Sequence, residues 1–394
     1  MRILVLQESD WVEVGPHQSH HLMERLSLRG HVVEVIDFEI RWRSKPSDSL
    51  FSPRKRIRGF HKTMECPGVG ITTPPFLRIP ILDLASIPFS HKTELDRKLR
   101  DFKPDAIIGF GIINAYLGLK AAKRHGIPFV YYIIDELHRL LPNRELQGTA
   151  KLIESYNMRH ADAVLSINEQ LRDYTIDLGA KREQTVVIRA GVDLEKFSNS
   201  NGSEIRSSIG ANDDDVVLFF MGWLYDFSGL KEAVEEFVSY PDNRLKMLIV
   251  GKGDLWEELT RLVEEHGLQD RVVLWGWQDY DKLPDIIKAA DICMLPAHAN
   301  KIMMNIVPIK MYEYLASGKP VIATRLNGLM AEFGENSGVV YIDKSGDVLS
   351  TASRLIDTGE YKIRCEQALE FTEGLDWNDL TDAFESKLRD LSRT

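Results

Sequence analysis

The residues with the clearest chemical potential lie in the segment NIVPIKMYEYLASGKPVIAT, residues 305–324. Pro308 suits the first turn of a helix, and Asn305 is suited to lie at or near its N-cap. Lys310 is then in the first turn, and Glu313 lies three residues further along, on the same face. The segment therefore predicts a helix whose beginning carries a cation and a carboxylate.

A helix start of this kind can bind a phosphate and a sugar together. Its free N–H groups, for which Ile306 and Val307 are candidates, and the positive end of its dipole favour an anion, and Lys310 adds a full charge. The carboxylate of Glu313 can accept hydrogen bonds from two adjacent sugar hydroxyls, as in ribose recognition. The alternative is an ordinary amphipathic helix with a Lys–Glu pair on its surface.

A second group of candidates follows the first apolar run of the chain. Gly15 stands between a predicted strand and a predicted helix, where a glycine lets the backbone approach a phosphate; a simple tight turn is the alternative. His17, His20 and His21 come next. His17 and His20 are candidates for contact with an acceptor, with surface or packing roles as the alternative. No cysteine or carboxylate with fitting spacing accompanies them, so we expect no metal.

A third group ends another apolar strand, in the segment IIDELH, residues 133–138. Ligands of α/β folds bind at the carboxyl ends of strands. Asp135 could fix the imidazole of His138 or bind an acceptor hydroxyl. A helix-capping aspartate and a packed histidine are the alternative.

Strands and helices alternate through both halves of the chain and would position these groups. Near-continuous apolar strands between amphipathic helices indicate parallel sheets buried on both faces. In the first half we predict strands at residues 2–6, 31–37, 105–110, 129–134, 163–167 and 186–188. In the second half we predict strands at 216–221, 245–250, 272–275, 292–295 and 321–324, with helices near 229–239, 254–266, 281–290 and 306–317.

A polar break at residues 198–203 separates the two halves. We therefore predict one doubly wound α/β domain over residues 1–197 and a second over 198–375. The remaining residues, 376–394, are predicted to form a helix that packs back on the first domain. A chain of 394 residues is long enough for two cores.

Composition excludes several classes of protein. The formal net charge of −10 gives no reason to expect a nucleic-acid partner. Three scattered cysteines predict neither disulfides nor a zinc site, and they fit a reducing compartment. The first apolar run is too short for a signal peptide, and no run of apolar residues is long enough to span a membrane. We expect a cytoplasmic protein.

Residues 41–62 break the alternation of strands and helices. They contain eight Lys and Arg residues and one acid, Asp48, which gives a local net charge of +7, with aromatic and aliphatic residues between them. One interpretation is a solvated insertion. The other is a surface for anionic lipid head groups or an acidic acceptor, with peripheral attachment to the inner face of the cell membrane.

Six segments, in order, resemble the retaining GT-B glycosyltransferases of family 4. They are RHADAVLSI (159–167), AGVDLEKF (190–197), LIVGKGD (248–254), LWGW (274–277), AADICMLP (289–296) and EYLASGKPVIA (313–323). The resemblance covers nearly the whole chain. It implies two Rossmann-like doubly wound domains facing across a cleft, the GT-B fold, with a nucleotide-sugar donor bound mainly by the C-terminal domain.

The resemblance also implies an activity and roles for residues. The enzyme would move a sugar from a nucleotide diphosphate to an acceptor hydroxyl with retention, without a metal or other cofactor, and the acceptor would be a glycan or a lipid-linked sugar. In the family, a histidine at the position of His138 contacts the transferring sugar. Positive groups and N–H donors around the diphosphate would supply most of the catalysis.

Three positions depart from the family pattern. Asn305 stands where the first of two glutamates is usual, and Ala190 stands where an asparagine is usual. The loop that begins at Gly222, GWLYDFSG, lacks the usual arginine and lysine. Lys310, Lys252 or Lys301 could supply that charge, and the turns at Gly222, Lys252 and Trp277 complete the predicted donor site. An active variant subgroup is the interpretation we adopt.

Two other functions remain open. A GT-B nucleotide-sugar epimerase would change the donor sugar without an acceptor. A non-catalytic nucleotide-sugar-binding relative would fit the missing charges.

Overall fold

The computed structural model describes residues 1–40, 42, 49–79, 82–141, 144–300 and 303–393. Contacts within the chain divide it into two compact units. The first unit consists of Met1–Ala190 together with Trp377–Thr394, and the second consists of Gly191–Asp376. Within the described residues, no helix combines the length and the apolar character needed to cross a membrane.

The first unit is built on an eight-stranded sheet among its described residues, in the order β10-β9-β8-β7-β1-β2-β5-β4. Its strands, with a separate β3–β6 ladder, are β1 (Arg2–Leu6), β2 (Val32–Ile36), β3 (Phe51–Ser52), β4 (Lys55–Phe60), β5 (Val69–Thr73), β6 (Phe76–Leu77), β7 (Ala106–Gly109), β8 (Phe129–Ile133), β9 (Ala163–Ser166) and β10 (Thr185–Val187). Its helices are α1 (Gln18–Leu28), α2 (Leu82–Asp101), α3 (Ile113–His125), α4 (Arg144–His160), α5 (Glu169–Asp177) and α15 (Trp377–Arg393).

The strands of this sheet pair in parallel, except that β4 pairs antiparallel with β5. Residues 3–5 of β1 and 129–133 of β8 are wholly buried, as apolar strands covered on both faces should be. Helix α1 begins at Gln18 with His17 as its N-cap, so Pro16 lies just before the helix.

Strand β4 corrects the expectation that residues 41–62 form only an irregular insertion. Lys55–Phe60 is an edge strand whose side chains are almost all exposed. An edge strand without a buried face has no alternation of apolar and polar residues, and such alternation is the signal by which strands are predicted. Residues 41 and 43–48 of the segment lie outside the described residues.

The second unit is a parallel sheet, six-stranded among its described residues, in the order β13-β12-β11-β14-β15-β16. Its strands are β11 (Val216–Trp223), β12 (Leu245–Lys252), β13 (Val272–Leu274), β14 (Ile292–Leu295), β15 (Val321–Thr324) and β16 (Val339–Ile342). Its helices are α6 (Leu194–Ser198), α7 (Ser203–Ser208), α8 (Leu230–Glu236), α9 (Trp256–Glu265), α10 (Leu283–Ala289), α11 (Ile309–Ala316), α12 (Asn327–Phe333), α13 (Val348–Asp357) and α14 (Glu360–Thr372).

The two units divide at residues 190 and 191, whereas the sequence placed the boundary after residue 197. The reason is that the chain after Gly191 already bonds within the second unit. The N–H of Val192 donates to the carbonyl of Leu375 at 3.0 Å, and the N–H of Leu194 donates to Asp376 Oδ2 at 3.1 Å. These hydrogen bonds join the beginning of the unit to its end, which the linear order of the sequence does not reveal.

Candidate functional site

The sheet of the second unit has one position where the chain order reverses. From β11 the chain adds β12 and β13 on one side, and then returns to place β14, β15 and β16 on the other. Ligands of open parallel sheets bind outside the carboxyl ends of the strands at such a reversal. The carboxyl end of β11, at Gly222, is therefore the place where a ligand is expected.

Glycines allow the backbone to pack closely at this edge. Strands β11 and β12 pair in register through Gly222 and Gly251, which have φ values of +131° and +156°, to Trp223 and Lys252. A Cβ atom on Gly251 would lie 1.9 Å from the carbonyl oxygen of Gly222. A Cβ atom on Gly222 would lie 2.5 Å from Lys310 Nζ. Side chains at either position would displace the lysine or the neighbouring strand.

Lys310 delivers its ammonium group to the end of β11. Its Nζ donates to the carbonyl of Met221 at 2.6 Å and lies 4.6 Å from the centre of the Phe220 ring. Burial lowers the pKa of Lys310 to about 8, against the opposing charge of Glu313. One carbonyl leaves an ammonium with further donors, so this lysine can also bind an anion.

Glu313 is 4% exposed, so the alternative of a solvated Lys–Glu surface pair does not hold. The hydroxyl of Tyr280 donates to Glu313 Oε1 at 2.9 Å. Burial raises the pKa of Glu313 to about 7, while the hydrogen bond from Tyr280 and the charge of Lys310 act in the opposite direction. Sequence reasoning missed Tyr280, since nothing in its own segment connects it with a helix 33 residues away.

The start of helix α11 differs from the prediction. Its N-cap is Pro308, with φ −70° and ψ 138°, whereas Asn305 ends a short 3-10 helix that begins at Met303. A proline disfavours helical backbone in the residue before it, so the α-helix begins only after Pro308. The N–H of Ile306 donates to the carbonyl of Met303 at 3.2 Å, and Val307 is buried. The N–H of Ile306 therefore has an acceptor within the protein.

An aromatic surface extends the site along the sheet edge. Lys252 Nζ lies 4.7 Å from the ring centre of Trp277 and 5.9 Å from that of Trp223, distances at which cation–π attraction operates. Trp277 is 52% exposed and Lys252 is also exposed. Rings of this kind can stack on a base or a sugar. Lys301, the other cation considered from the sequence, lies outside the described residues.

In the first unit, the Gly15 turn is held from within by His20. Gly15 has a φ of +97°, and a Cβ atom there would lie 2.8 Å from His17 N and from His20 Cε1. His20 Nδ1 accepts from the N–H of His17 at 3.1 Å, and its Nε2 lies 2.9 Å from the carbonyl of Trp11. His20 has no exposed surface, and burial lowers its pKa to about 3.

The expectation that His20 contacts an acceptor therefore does not hold. Both of its ring nitrogens bond to the backbone and fix the turn around Gly15. His17, the N-cap residue, is half-buried and retains some exposed surface. Of the two histidines proposed from the sequence, only His17 has the exposure that a ligand contact requires.

His138 lies in a short 3-10 helix, Leu137–Leu140, that follows β8. Its Nδ1 is 2.7 Å from Glu154 Oε2 on helix α4, and the hydroxyl of Tyr174 on α5 is 3.1 Å from the same nitrogen. Burial lowers the pKa of His138, and Arg139 and Lys151 lower it further. The lowered pKa favours the neutral imidazole, which is held on its Nδ1 side.

Asp135 does not hold this imidazole, contrary to one of its two predicted roles. Its Oδ1 accepts from the N–H of Glu136 at 2.7 Å, and burial raises its pKa to about 6. The partner of His138 is Glu154. A signal for it exists in the sequence, because Ala150, Glu154 and Met158 follow one another at intervals of four on the buried face of α4.

Three of the five cations of residues 41–62 that the structure describes form ion pairs with acids outside the segment. Arg54 pairs with Glu94 at 2.8 Å, and Arg56 pairs with Glu34 at 3.0 Å. Lys55 pairs with Glu39. These ion pairs reduce the field that the segment presents to an anionic surface.

Lys62, from the same segment, supports the loop before Gly15. Its Nζ donates to the carbonyls of Val12 and Val14 at 2.7 and 3.1 Å. Arg41, Arg43 and Lys45 of the segment lie outside the described residues.

Two family profiles match the chain. That of the glycosyl transferase 4-like domain matches residues 15–191, and that of the glycosyl transferases group 1 matches residues 202–367. Together they cover most of the chain. It belongs to the group 1 glycosyl transferases.

Curated relatives agree with this family. D-inositol 3-phosphate glycosyltransferase 2 of Catenulispora acidiphila is 27% identical over 268 residues, which is 62% of this chain and 61% of that protein. The putative colanic acid biosynthesis glycosyl transferase WcaI of Escherichia coli is 24% identical over 320 residues, 77% of each chain. The match thus spans about three fifths of the Catenulispora protein.

Solved structures confirm the predicted fold class. HepE of Anabaena, in complex with UDP and glucose, superposes with a TM-score of 0.72 at 18% identity and covers 99% of this chain and 100% of its own. Sucrose-phosphate synthase of Thermosynechococcus elongatus gives 0.75 at 18% identity, with 98% of each chain covered. The group 1 family member described here therefore has the two Rossmann-like α/β domains of GT-B glycosyltransferases.

Proposed function

We propose that the protein transfers a sugar from a nucleotide-diphosphate donor to an acceptor hydroxyl, with retention and without a metal. The observation that carries the proposal is the pairing of Lys310 and Glu313 in the first two turns of α11, beside the carboxyl end of β11. The diphosphate and the ribose of a nucleotide are adjacent groups, so the cation that binds the first and the carboxylate that binds the second must lie close together. The membership of the group 1 family supports the same reaction class.

The candidate donor-site residues of the second unit have the following proposed roles. Lys310 and the first-turn N–H groups of α11 bind the diphosphate and stabilise its charge as it leaves. Glu313 accepts from the two ribose hydroxyls once Tyr280 gives way or shares its oxygen. Trp277 and Lys252 face the base or the sugar. Asn305 occupies the position of the missing glutamate and is expected to bind the sugar through its amide.

In the first unit, His138 is proposed to contact the sugar that is transferred, and Asp135 is proposed to bind the acceptor hydroxyl. Gly15 is proposed to place backbone N–H groups near the donor, and His17 is proposed to contact the acceptor. A neutral His138 can accept a hydrogen bond from a sugar hydroxyl without adding a charge.

A lipid-linked acceptor, reached at an anionic membrane surface, is the second part of the proposal. It is supported by an open groove of about 480 Å³ lined by apolar side chains such as Phe51, Leu77 and Phe89. Phe51 is 51% exposed and Phe89 is 77% exposed. Co-sedimentation with vesicles of anionic lipid tests it, and binding that depends on neither lipid charge nor salt would contradict an electrostatic contribution.

The deciding experiment is a binding screen followed by product analysis. UDP, GDP, ADP and their glucose conjugates are compared by thermal shift, with UDP first because the Anabaena HepE structures contain UDP and UDP-glucose. NMR of the product made from the bound donor then reports the anomeric configuration, with and without EDTA. A donor sugar changed without an acceptor would indicate an epimerase. Tight binding without any turnover would indicate a non-catalytic relative.

A further inference from the structure

A buried carboxylate on helix α4 lies against the imidazole of His138. Glu154 is fully buried, and its Oε2 is 2.7 Å from His138 Nδ1. The hydroxyl of Tyr174 donates to the same Oε2 at 3.3 Å and lies 3.1 Å from His138 Nδ1. The rings of His138 and Tyr174 are nearly parallel, with centroids 6.2 Å apart and planes inclined by 12°. Three polar side chains from three elements thus converge on one point.

Stability alone does not explain this carboxylate. The second oxygen of Glu154, Oε1, is buried without a hydrogen-bond partner among the described residues. Removing a carboxylate from water costs free energy unless it is fully paired, and neither Lys nor Arg forms an ion pair with it in the part of the chain that the structure describes. Leu or Met would complete the buried face of α4 at a lower cost. A side chain retained in such a place requires another explanation.

We propose that Glu154 and Tyr174 are positioning residues for His138, and this rests on the function proposed above. The carboxylate accepts the Nδ1–H of His138, so that the proton is kept on Nδ1. Nε2 then carries a lone pair and can accept a hydrogen bond from a sugar hydroxyl. Tyr174 donates to the carboxylate and holds its Oε2 in line with the imidazole, and its ring limits rotation of His138. Asp135 has no part in this arrangement.

The charges around the pair act on both of its members. Burial raises the pKa of Glu154 to about 7, opposed by hydrogen bonds from the hydroxyl of Tyr174 and from the backbone of His138. The other charged or titratable groups that act on the pair are Asp135, Glu136, Arg139, Lys151 and Tyr131. Above neutral pH the carboxylate is ionised and the arrangement is complete, whereas protonation at lower pH removes the acceptor for Nδ1–H.

The tautomer of His138 can be measured without any substrate. In the full-length protein labelled with ¹⁵N-histidine, His138→Gln identifies the His138 signals among the 11 histidines. Above neutral pH we expect the wild-type proton on Nδ1. In Glu154→Met, which keeps the side-chain volume but removes the acceptor, the proton should move to Nε2. A wild-type proton on Nε2 would overturn the proposal.

Kinetics test whether the arrangement serves transfer. Glu154→Met should lower kcat by about tenfold to a hundredfold, the range found when the outer partner of a metal-binding histidine is removed, with little change in the KM for the donor. It should also remove the change of kcat with pH around neutrality, because that change is attributed to the titration of Glu154. Tyr174→Phe is a milder change that keeps the ring, and it should also lower kcat. If Glu154→Met does not fold, this variant tests whether the arrangement serves transfer.

Tyr156→Phe is the matched control. It also removes a hydroxyl, from helix α4, but this hydroxyl accepts a hydrogen bond from Lys120 and does not contact His138 or Glu154. It should change neither the tautomer nor kcat. Unchanged kcat in Glu154→Met, with its tautomer shifted, would show that the pair has no role in transfer. A wild-type protein that turns over no donor would count against the proposed function. The NMR measurement of the His138 tautomer would still test whether Glu154 accepts the Nδ1–H.

Discussion

Lys310 and Lys319 are two half-buried lysines of the second unit whose ammonium groups donate to backbone carbonyls. Lys310 bonds to Met221 at the proposed donor site, and Lys319 bonds to Ala290. We predict that Lys310→Met weakens donor binding by about 10- to 100-fold, because a hydrogen bond to a charged group contributes about 1.5–3 kcal/mol. Isothermal titration of the donor measures this change.

Lys319→Met is the control for that change, since it loses an equivalent bond and has a similarly lowered pKa. It should reduce stability by a comparable amount and leave donor affinity unchanged. Equal loss of affinity in both variants would show that Lys310 acts only through folding.

Glu313 and Lys310 should also give donor binding a bell-shaped pH dependence. The ribose hydroxyls need an ionised Glu313, whose pKa is raised to about 7, so affinity should rise as the pH increases through about 7. The diphosphate needs a charged Lys310, whose pKa is lowered to about 8, so affinity should fall above about 8. Titrations across this range should show the maximum between the two values. Glu313→Gln should remove the acidic limb and Lys310→Met the alkaline limb; a flat profile in the wild type would contradict both roles.

At the scale of single residues, the sequence predicted what helical spacing determines. Lys310 and Glu313 lie together at the start of α11 because three residues make nearly one turn. The partner of His138 could not be predicted in the same way. Asp135 is near it along the chain, but Glu154 reaches it from α4, and only the packing of that helix against the 3-10 helix Leu137–Leu140 brings the two together. Tyr280 and Glu313 are a second case of the same kind.

At the scale of elements, apolar strands between helices were largely predictable, including the edge strands β10 and β13. Eleven predicted strands all correspond to strands of the structure, with ends displaced by no more than two residues. Strand β4 was missed because it has no buried face, whereas β5 and β16 were missed although most of their residues are buried. The late start of α11 depends on Pro308, whose effect on the preceding backbone outweighed the capping preference of Asn305.

Glu385 is one of the residues through which helix α15 contacts the rest of the first unit. Glu385 bonds to Arg29 at 3.1 Å and to His31 at 3.0 Å. Burial raises the pKa of Glu385, but hydrogen bonds from Arg389, His31 and Arg29 outweigh it and lower the pKa to about 2. A lowered pKa means that the stabilisation is present above the unfolded value, about 4.3, and is lost as the pH falls through about 2.

We therefore predict that Glu385→Gln lowers the free energy of unfolding of the first unit by about 1–3 kcal/mol at neutral pH. The difference from the wild type should shrink between pH about 4 and about 2. Asp382→Asn provides the comparison, since Asp382 also contacts Arg29, at 2.6 Å, but is 70% exposed and should contribute little. Denaturant unfolding at several pH values measures both, and an equal effect of the two variants would contradict a special role for Glu385.

At the scale of the whole molecule, the second unit is inserted into the first. The chain leaves the first unit after Ala190 and returns to it at Trp377. The sequence predicted two domains and a terminal helix that packs back on the first of them. It could not predict the position at which the chain passes from the first unit to the second, because the hydrogen bonds of Val192 to Leu375 and of Leu194 to Asp376 join residues more than 180 positions apart.

Two units with separate cores should unfold in two separable transitions. Trp377 is fully buried in the first unit, where its ring stacks on His21 with centroids 4.5 Å apart and planes inclined by 8°. Trp377→Ala should therefore lower the first unit's transition by the equivalent of about 3–5 kcal/mol and leave the other in place. A nucleotide donor at 100 times its Kd should raise mainly the second unit's transition, by the equivalent of about 2.7 kcal/mol. Differential scanning calorimetry distinguishes these changes. A single transition that responds to both would show that the units unfold together, and a larger donor-induced rise in the transition lowered by Trp377→Ala would place donor binding mainly in the first unit.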